Sequence, residues 1–197
     1  MKLFDQAMVQ FVQLLDEAKA SKDPEPTAMT LATVGVDGQV AARTVLLKQV
    51  DHAGFVFYTN TTSAKGVQLA ERSRCALLFH WKHLRDGVQV RVEGVASPVS
   101  AVEADAYFAS RPRISQLGAW ASLQSQPLDA RATLEARLAA FEAEYADREV
   151  PRPPHWSGYR VVPQLIEFWF GQTFRLHDRE LYARDADGVW SKTLLYP

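Results

Sequence analysis

The sequence predicts a mainly β chain with flanking α-helices, folded as an antiparallel barrel rather than a doubly wound α/β sheet. Three observations carry this expectation. Seven or so short β-rich runs follow one another in mostly hairpin order, Asp37-Gly38 and Asp187-Gly188 mark tight turns between runs, and only a few segments show helical periodicity. At 197 residues, with no repeat and no long linker, the chain is expected to form one domain over 1–197.

The first element is a helix over residues 1–22. Phe4, Met8, Phe11, Leu15 and Ala18 recur at alternating four- and three-residue spacing, and Asp5, Gln6, Asp16 and Lys19 fill the other side. Asp23-Pro24-Glu25-Pro26 ends it. Strands are expected at Met29–Val34, Val40–Val50, Phe55–Thr59, Cys75–Trp81 and Val88–Val95, with the first three forming a meander. Ser63 is placed to cap a short helix running to Arg72. Two further helices are expected, Ser100–Ala109 and Asp129–Tyr145. The second sets Leu134, Leu138 and Phe141 against Arg131, Glu135, Glu142 and Glu144. Pro151-Arg152-Pro153-Pro154 breaks the chain, and late strands are expected at Tyr159–Trp169, Phe174–Ala183 and Val189–Leu195.

Composition narrows the function classes. Lys and Arg number 22 against 23 Asp and Glu, a net charge of −1, so no global positive field favours nucleic acid or an anionic membrane. No stretch approaches the ~18 apolar residues of a membrane span, and the start of the chain does not read as a signal peptide. One cysteine, Cys75, cannot build a disulfide framework, which fits a reducing, cytoplasmic setting; its apolar neighbours make it a core residue. No dinucleotide or Walker fingerprint, metalloprotease helix or nucleophile elbow is present, and His80 with His83 is too little for a metal site.

Four segments carry candidate chemistry. Arg43-Thr-Val-Leu-Leu-Lys48 ends an apolar strand in two cations that alternation sends to opposite faces, so both reach one ligand only through a bulge or at a barrel rim. Tyr58-Thr-Asn-Thr-Thr-Ser-Ala-Lys65 runs from a strand end into a helix start and offers hydroxyls, free N–H groups and Lys65 to a phosphate. Tyr107 and Arg111 lie four apart at a helix end that Pro112 should terminate, with Ser115 just beyond: a phenol, a guanidinium and a hydroxyl suited to an anion. In Arg175-Leu-His-Asp-Arg179, period two places Arg175, His177 and Arg179 on one strand face. Each segment also has a plainer reading as an exposed strand end, a capped helix or a solvated face. Together they suggest a binder of phosphorylated aromatic molecules.

In this order the segments resemble the pyridoxamine 5'-phosphate oxidase family over about residues 26–197. Arg43–Lys48, Phe57-Tyr-Thr-Asn60, Ser110-Arg-Pro-Arg-Ile-Ser-Gln-Leu-Gly-Ala-Trp-Ala-Ser122 and Arg175–Arg179 carry the likeness. The resemblance implies an FMN-binding split β-barrel working as a homodimer with flavin at the subunit interface. It implies oxidation of pyridoxine or pyridoxamine 5'-phosphate by dioxygen to pyridoxal 5'-phosphate and hydrogen peroxide. By matched positions, it assigns FMN to Arg43, Thr44, Val45, Leu46, Leu47, Lys48, Tyr58, Thr59, Lys65, Gln89, Gln124, Ser125, Trp169 and Arg179. Substrate phosphate falls to Lys48, Tyr107, Arg111 and Ser115, while Arg175, Leu176 and His177 meet the pyridine ring, Arg175 and His177 as the catalytic residues. The chain departs from the family pattern at Ala64, where Arg is frequent, in a loop before Gln89 longer by about two residues, and in the ending Leu194-Leu-Tyr-Pro197. The alternatives are another flavin oxidase of the same barrel type, such as a phenazine-biosynthesis enzyme, and a noncatalytic binder of FMN or pyridoxal phosphate.

Overall fold

The computed structural model describes residues 1–197. Helix α1, Leu3–Ala20, buries Ala7, Met8, Phe11, Leu14, Leu15 and Ala18, so the periodicity read from the sequence is the face that packs. Phe11 meets Phe55 and Phe79 edge-on at ring-centre distances of 4.8 and 4.9 Å. Each fully buried ring of this kind contributes roughly 1.5–3 kcal/mol of transfer free energy. Phe4, half-buried, stacks instead on Trp190 at 5.0 Å, which ties the start of α1 to the end of the sheet.

The strands are β1 Ala28–Val34, β2 Val40–Leu46, β3 Gln49–Asp51, β4 Gly54–Asn60, β5 Arg74–Trp81, β6 Val88–Pro98, β7 Trp156–Phe170, β8 Asp178–Arg184 and β9 Trp190–Leu195. They form one antiparallel sheet in the order β2-β1-β5-β6-β7-β4-β3, with β8 and β9 continuing from β7. The 15-residue β7 organises it: β6 runs along one edge, while β4 pairs with residues 156–161 and β8 with residues 165–170 of the other. A register shift at Glu93/Gly94 on β6 bends the ladder and helps the sheet curl. No helix is long and apolar enough to cross a membrane.

The expected strand Val40–Val50 is two strands. The chain changes sheet edge within two residues: Leu47 donates its N–H to Thr27 O and Lys48 donates its N–H to Val56 O, both at 2.8 Å. Because β2 pairs with β1 and β3 pairs with β4, Leu47 and Lys48 span the seam between the two edges of the curled sheet. Lys48 stands at this rim, whereas Arg43 stays within β2 opposite Leu31.

The remaining helices are α2 Ala64–Glu71, α3 Ala101–Ser110, α4 Arg113–Ala121 and α5 Arg131–Glu144. Ser63 caps α2 as expected, its hydroxyl accepting from Gly66 N–H, and Ser100 does the same for α3 through Glu103 N–H. Helix α4 was not expected. Pro112 ends α3 but also starts α4, since a proline at a helix start loses no intrahelical bond, and Leu117 and Ala121 bury one turn apart.

The expected strand Phe174–Ala183 begins only at Asp178. Residues Thr173–Arg175 form a single 3₁₀ turn in which Phe174 and Arg175 have φ of 56° and 62°. Gln172 bridges the turn, its side chain donating to Asp178 at 2.6 Å and its N–H to His177 Nδ1 at 3.1 Å. Arg175, His177 and Arg179 therefore do not share a strand face, because two left-handed residues reverse the chain where alternation was assumed.

Candidate active site

The barrel seam, the end of β4, the start of α2, the α3–α4 corner and the start of β7 surround one cleft of about 470 Å³. Its walls include Thr44, Val45, Leu46 and Lys48 from the seam, Tyr58 and Thr59 from β4, Lys65 from α2, Arg111 and Ser115 from the corner, and Gln124. Ten of the sequence-derived positions thus converge from five separate segments. Lys48, Lys65 and Arg111 supply three positive charges, and no carboxylate lines the cleft.

Lys65 is held at one end. Its Nζ donates to Gln124 Oε1 at 2.8 Å and to Ser63 Oγ at 3.2 Å, and Thr59 Oγ1 also donates to Gln124 Oε1 at 3.2 Å. Burial lowers the Lys65 pKa, and the nearby Arg43 charge lowers it further. Arg43 lies beneath the cleft wall and donates to Leu31 O at 3.2 Å, to Thr33 Oγ1 and to Gln68 Oε1 at 3.1 Å. Two neighbouring cations beside a cleft that no carboxylate lines leave this end positively charged. Gly66 makes the close approach possible: a Cβ there would sit 2.3 Å from Thr61 O.

At the other end the aromatic rings are layered. Tyr58 stacks on Tyr107 at 4.0 Å and 12° and on Trp156 at 5.3 Å and 6°. Gly158 opposite Tyr58 permits this, since a Cβ would meet the Tyr58 ring at 2.7 Å. The guanidinium of Arg111 lies 4.8 Å above Trp156 and 5.5 Å from Phe108. Its Nη1 is buried with no hydrogen-bond partner. Burial pushes the Tyr107 phenol up, and the Arg111 charge pulls it down.

Other expected residues lie elsewhere on the chain. Leu47 points into the main core, and Ser125, next to Gln124, adopts φ 74°. Tyr107 sits behind Tyr58 rather than on the cleft wall. Gln89, Trp169 and Arg179 line a separate hollow of about 150 Å³ together with Arg91 and Glu167. Leu176, His177 and Arg179 border a third concavity, of about 940 Å³, while Arg175 is exposed on the 3₁₀ turn. Neither shares a lining residue with the cleft. His177 packs against Trp169 at 4.5 Å, and its Nδ1 acceptance of the Gln172 N–H leaves the proton of the neutral ring on Nε2.

Several lining residues were not singled out: Asn60, Gly118, Ala119, Ser122 and Trp156. Gly118, Ala119 and Ser122 fall within the Ser110–Ser122 motif, and recognising α4 would have brought them to the cleft. Trp156, directly after the proline-rich break, carried no local signal of its own.

A model of the pyridoxamine 5'-phosphate oxidase family matches residues 11–145. The chain belongs to the pyridoxamine 5'-phosphate oxidase family. A second family model, described as a pyridoxine 5'-phosphate oxidase C-terminal dimerisation region, matches residues 156–197, which are β7, β8, β9 and the turn bearing Arg175 and His177. The chain is 56% identical over 196 residues to the pyridoxine/pyridoxamine 5'-phosphate oxidase of Xanthomonas euvesicatoria pv. vesicatoria, covering 99% of this chain and 98% of the relative. Among solved structures it is similar to PhzG from Burkholderia lata in complex with tetrahydrophenazine-1-carboxylic acid, with TM-score 0.89 and 33% identity over 96% of this chain and 91% of that one. A pyridoxamine 5'-phosphate oxidase-related, FMN-binding protein from Nostoc punctiforme shares the fold, with TM-score 0.74 and 18% identity over 95% of each chain. The split barrel of this oxidase family is the barrel with a seam at Leu47 and Lys48.

Proposed function

We propose that the chain oxidises pyridoxine 5'-phosphate or pyridoxamine 5'-phosphate with a bound FMN and dioxygen, in the formation and salvage of pyridoxal 5'-phosphate. Pyridoxine phosphate and dioxygen give pyridoxal phosphate and hydrogen peroxide; pyridoxamine phosphate, dioxygen and water give the same products plus ammonia. The observation that carries this reading is a cleft with three cations, no carboxylate and a buried guanidinium nitrogen lacking a partner. Such a donor set fits phosphate esters.

The chain's own residues divide the work. Lys65, Thr59, Tyr58, Gln124, Ser125 and the Arg43–Lys48 segment suit the flavin side, where Lys65 and Arg43 offer charge to its phosphate. Lys48, Arg111 and Ser115 suit the substrate phosphate, with Tyr107 bracing the Tyr58 ring. FMN, when bound, supplies the two-electron acceptor that dioxygen regenerates. Anchoring the phosphate spends remote binding energy on holding C4' in place, and such orientation accounts for up to roughly 7–11 kcal/mol of barrier lowering in the best cases.

Gln89, Trp169, Arg175, Leu176, His177 and Arg179 belong to the same site through a homodimer. The family's dimerisation region contains five of the six, Trp169 on β7 and the other four on or beside β8, and the two groups of residues occupy separate concavities of a single chain. In this arrangement Arg175, Leu176 and His177 of the partner subunit meet the pyridine ring over the cleft.

The test is to load the purified protein with FMN, add pyridoxine 5'-phosphate in air and follow the product aldehyde as its imine with an amine buffer. Saturable product formation supports the reading. FMN binding without product from either phosphate overturns it and favours a phenazine-type oxidase or a noncatalytic carrier.

A further inference from the structure

Trp156 opens β7 and is 6% exposed. Its backbone is fixed at both ends: the N–H donates to Pro153 O at 3.0 Å, and the carbonyl accepts from Arg152 Nη1 at 2.8 Å. Arg152 Nε donates in turn to Asp105 of α3 at 2.6 Å, which ties the strand start to the helix capped at Arg111. The indole is braced on one side by Phe108, edge-on at 5.1 Å, and by Tyr58, parallel at 5.3 Å. Arg111 rests 4.8 Å over this ring.

A guanidinium can be held in two ways. A carboxylate holds it by the N–H edge and neutralises the charge, so an incoming phosphate must displace that partner. An aromatic face holds it through the ring quadrupole, leaving the charge uncompensated and the in-plane N–H donors free. Arg111 shows the second arrangement: its guanidinium carbon lies over the Trp156 ring, no acid lines the cleft, and Nη1 is buried without a partner.

We propose that Trp156 is a positioning residue that presents Arg111 to the substrate phosphate as an uncompensated cation, and so sets the affinity of the cleft for the phosphate ester. This rests on the phosphate reading of the same cleft. The role belongs to the ring face rather than to bulk, so a leucine of similar reach does not replace it and a phenylalanine does so in part.

The experiment uses the FMN-loaded protein and compares wild type with Trp156→Leu and Trp156→Phe. It measures KM and kcat for pyridoxine 5'-phosphate, the inhibition constant of inorganic phosphate against that substrate, and FMN affinity by fluorescence titration. In Trp156→Leu, KM and the phosphate inhibition constant are expected to rise together by about 3- to 30-fold, the range from an exposed to a desolvated cation–π contact, with a smaller change in kcat. Trp156→Phe should recover more than half of that loss on a logarithmic scale. Unchanged KM and phosphate inhibition in Trp156→Leu, or equal losses in the two variants, overturn the proposal, as does a loss of FMN affinity in parallel with KM. If Trp156→Leu does not fold, Trp156→Phe decides alone: phosphate inhibition must weaken beyond experimental error while FMN affinity stays at the wild-type value, because phenylalanine offers the weaker face. If inorganic phosphate does not compete in the wild-type protein, the phosphate reading itself falls.

Discussion

Arg179 reaches across from β8 to Glu167 on β7, with Nη2 2.7 Å and Nε 2.8 Å from Oε1, while Arg91 Nη2 holds the other carboxylate oxygen at 2.5 Å. The Glu167 side chain is 7% exposed against 30% for Arg179 and 36% for Arg91, so one buried carboxylate fixes two partly exposed guanidinium groups. Arg91 also meets Glu93, which balances the charge of the cluster. Arg179 donates further to Tyr196 O at 3.0 Å, tying the chain's last residues to the same network. This fixes the hollow that contains Gln89 and Trp169.

Burial pushes the Glu167 carboxyl up, but hydrogen bonds and charge from Arg91 and Arg179 outweigh it and hold the group below its ordinary 4.5. A lowered carboxylate pKa stabilises the fold above the unfolded value, and that contribution is lost as pH falls through the folded value. Urea unfolding of Glu167→Gln is therefore expected to show a deficit of about 1–3 kcal/mol at pH 7, less than for a fully buried pair because both arginines meet solvent. The deficit should shrink below pH 4.5. A pH-independent difference would contradict this account.

Lys65 behaves in the opposite sense. Its pKa is lowered by burial first and by Arg43 second, so the protonated side chain costs the flavin-free fold stability, a cost relieved as pH rises through the lowered value. Lys65→Met should leave the melting temperature of the flavin-free protein no lower than wild type. The same change should weaken FMN binding by roughly 10- to 150-fold, the usual worth of a hydrogen bond to a charged group. Calorimetry and flavin fluorescence titration measure the two effects, and a destabilised apoprotein would refute the argument.

The proposed two-subunit site predicts complementation. Arg111→Ala should chiefly raise KM for the phosphorylated substrate, and Arg175→Ala should lower kcat as well. Co-expressed at equal levels, the two variants form mixed dimers in which one site carries both lesions and the other carries neither, so about a quarter of wild-type activity should return. Sites built within single chains would show no recovery when the differently tagged variants are purified together.

Cys75 is a core residue on β5, and burial pushes its thiol up to about 12. With almost no thiolate at neutral pH, the native protein should resist iodoacetamide and keep full activity after exposure. Mass spectrometry should detect alkylation only after unfolding. Rapid labelling of the folded protein would show that the β5 region opens.

How far the sequence revealed the site depended on whether each signal was local. The Arg43–Lys48 segment called for a rim, and Lys48 reaches one because Leu47 and Lys48 change sheet edge within two residues, while Arg43 is held on β2 by Leu31, Thr33 and Gln68. Arg111 and Ser115 reach the cleft from the corner where Pro112 ends α3 and starts α4, whereas Tyr107 stays behind the Tyr58 ring. By contrast, the strand alternation assigned to Arg175, His177 and Arg179 failed, since φ of 56° and 62° at Phe174 and Arg175 leaves no trace in side-chain spacing. Glu167 and Trp156 were invisible for a different reason: what matters about them is which arginine each one holds, across strands or between a strand and a helix.

The sequence by itself determined the antiparallel β class, the buried face of α1, the cap at Ser63 and the chemical types needed for a phosphate, because these depend on spacing, turns and residue chemistry within short segments. Only the tertiary structure decided that Lys65 and Arg111 face one acid-free cleft, that Trp156 rather than a carboxylate supports Arg111, and that the Arg175–His177 turn lies away from the cleft on the same chain. Those relationships come from sheet curvature and long-range pairing along β7, where residues far apart in sequence are placed by backbone ladders rather than by their neighbours.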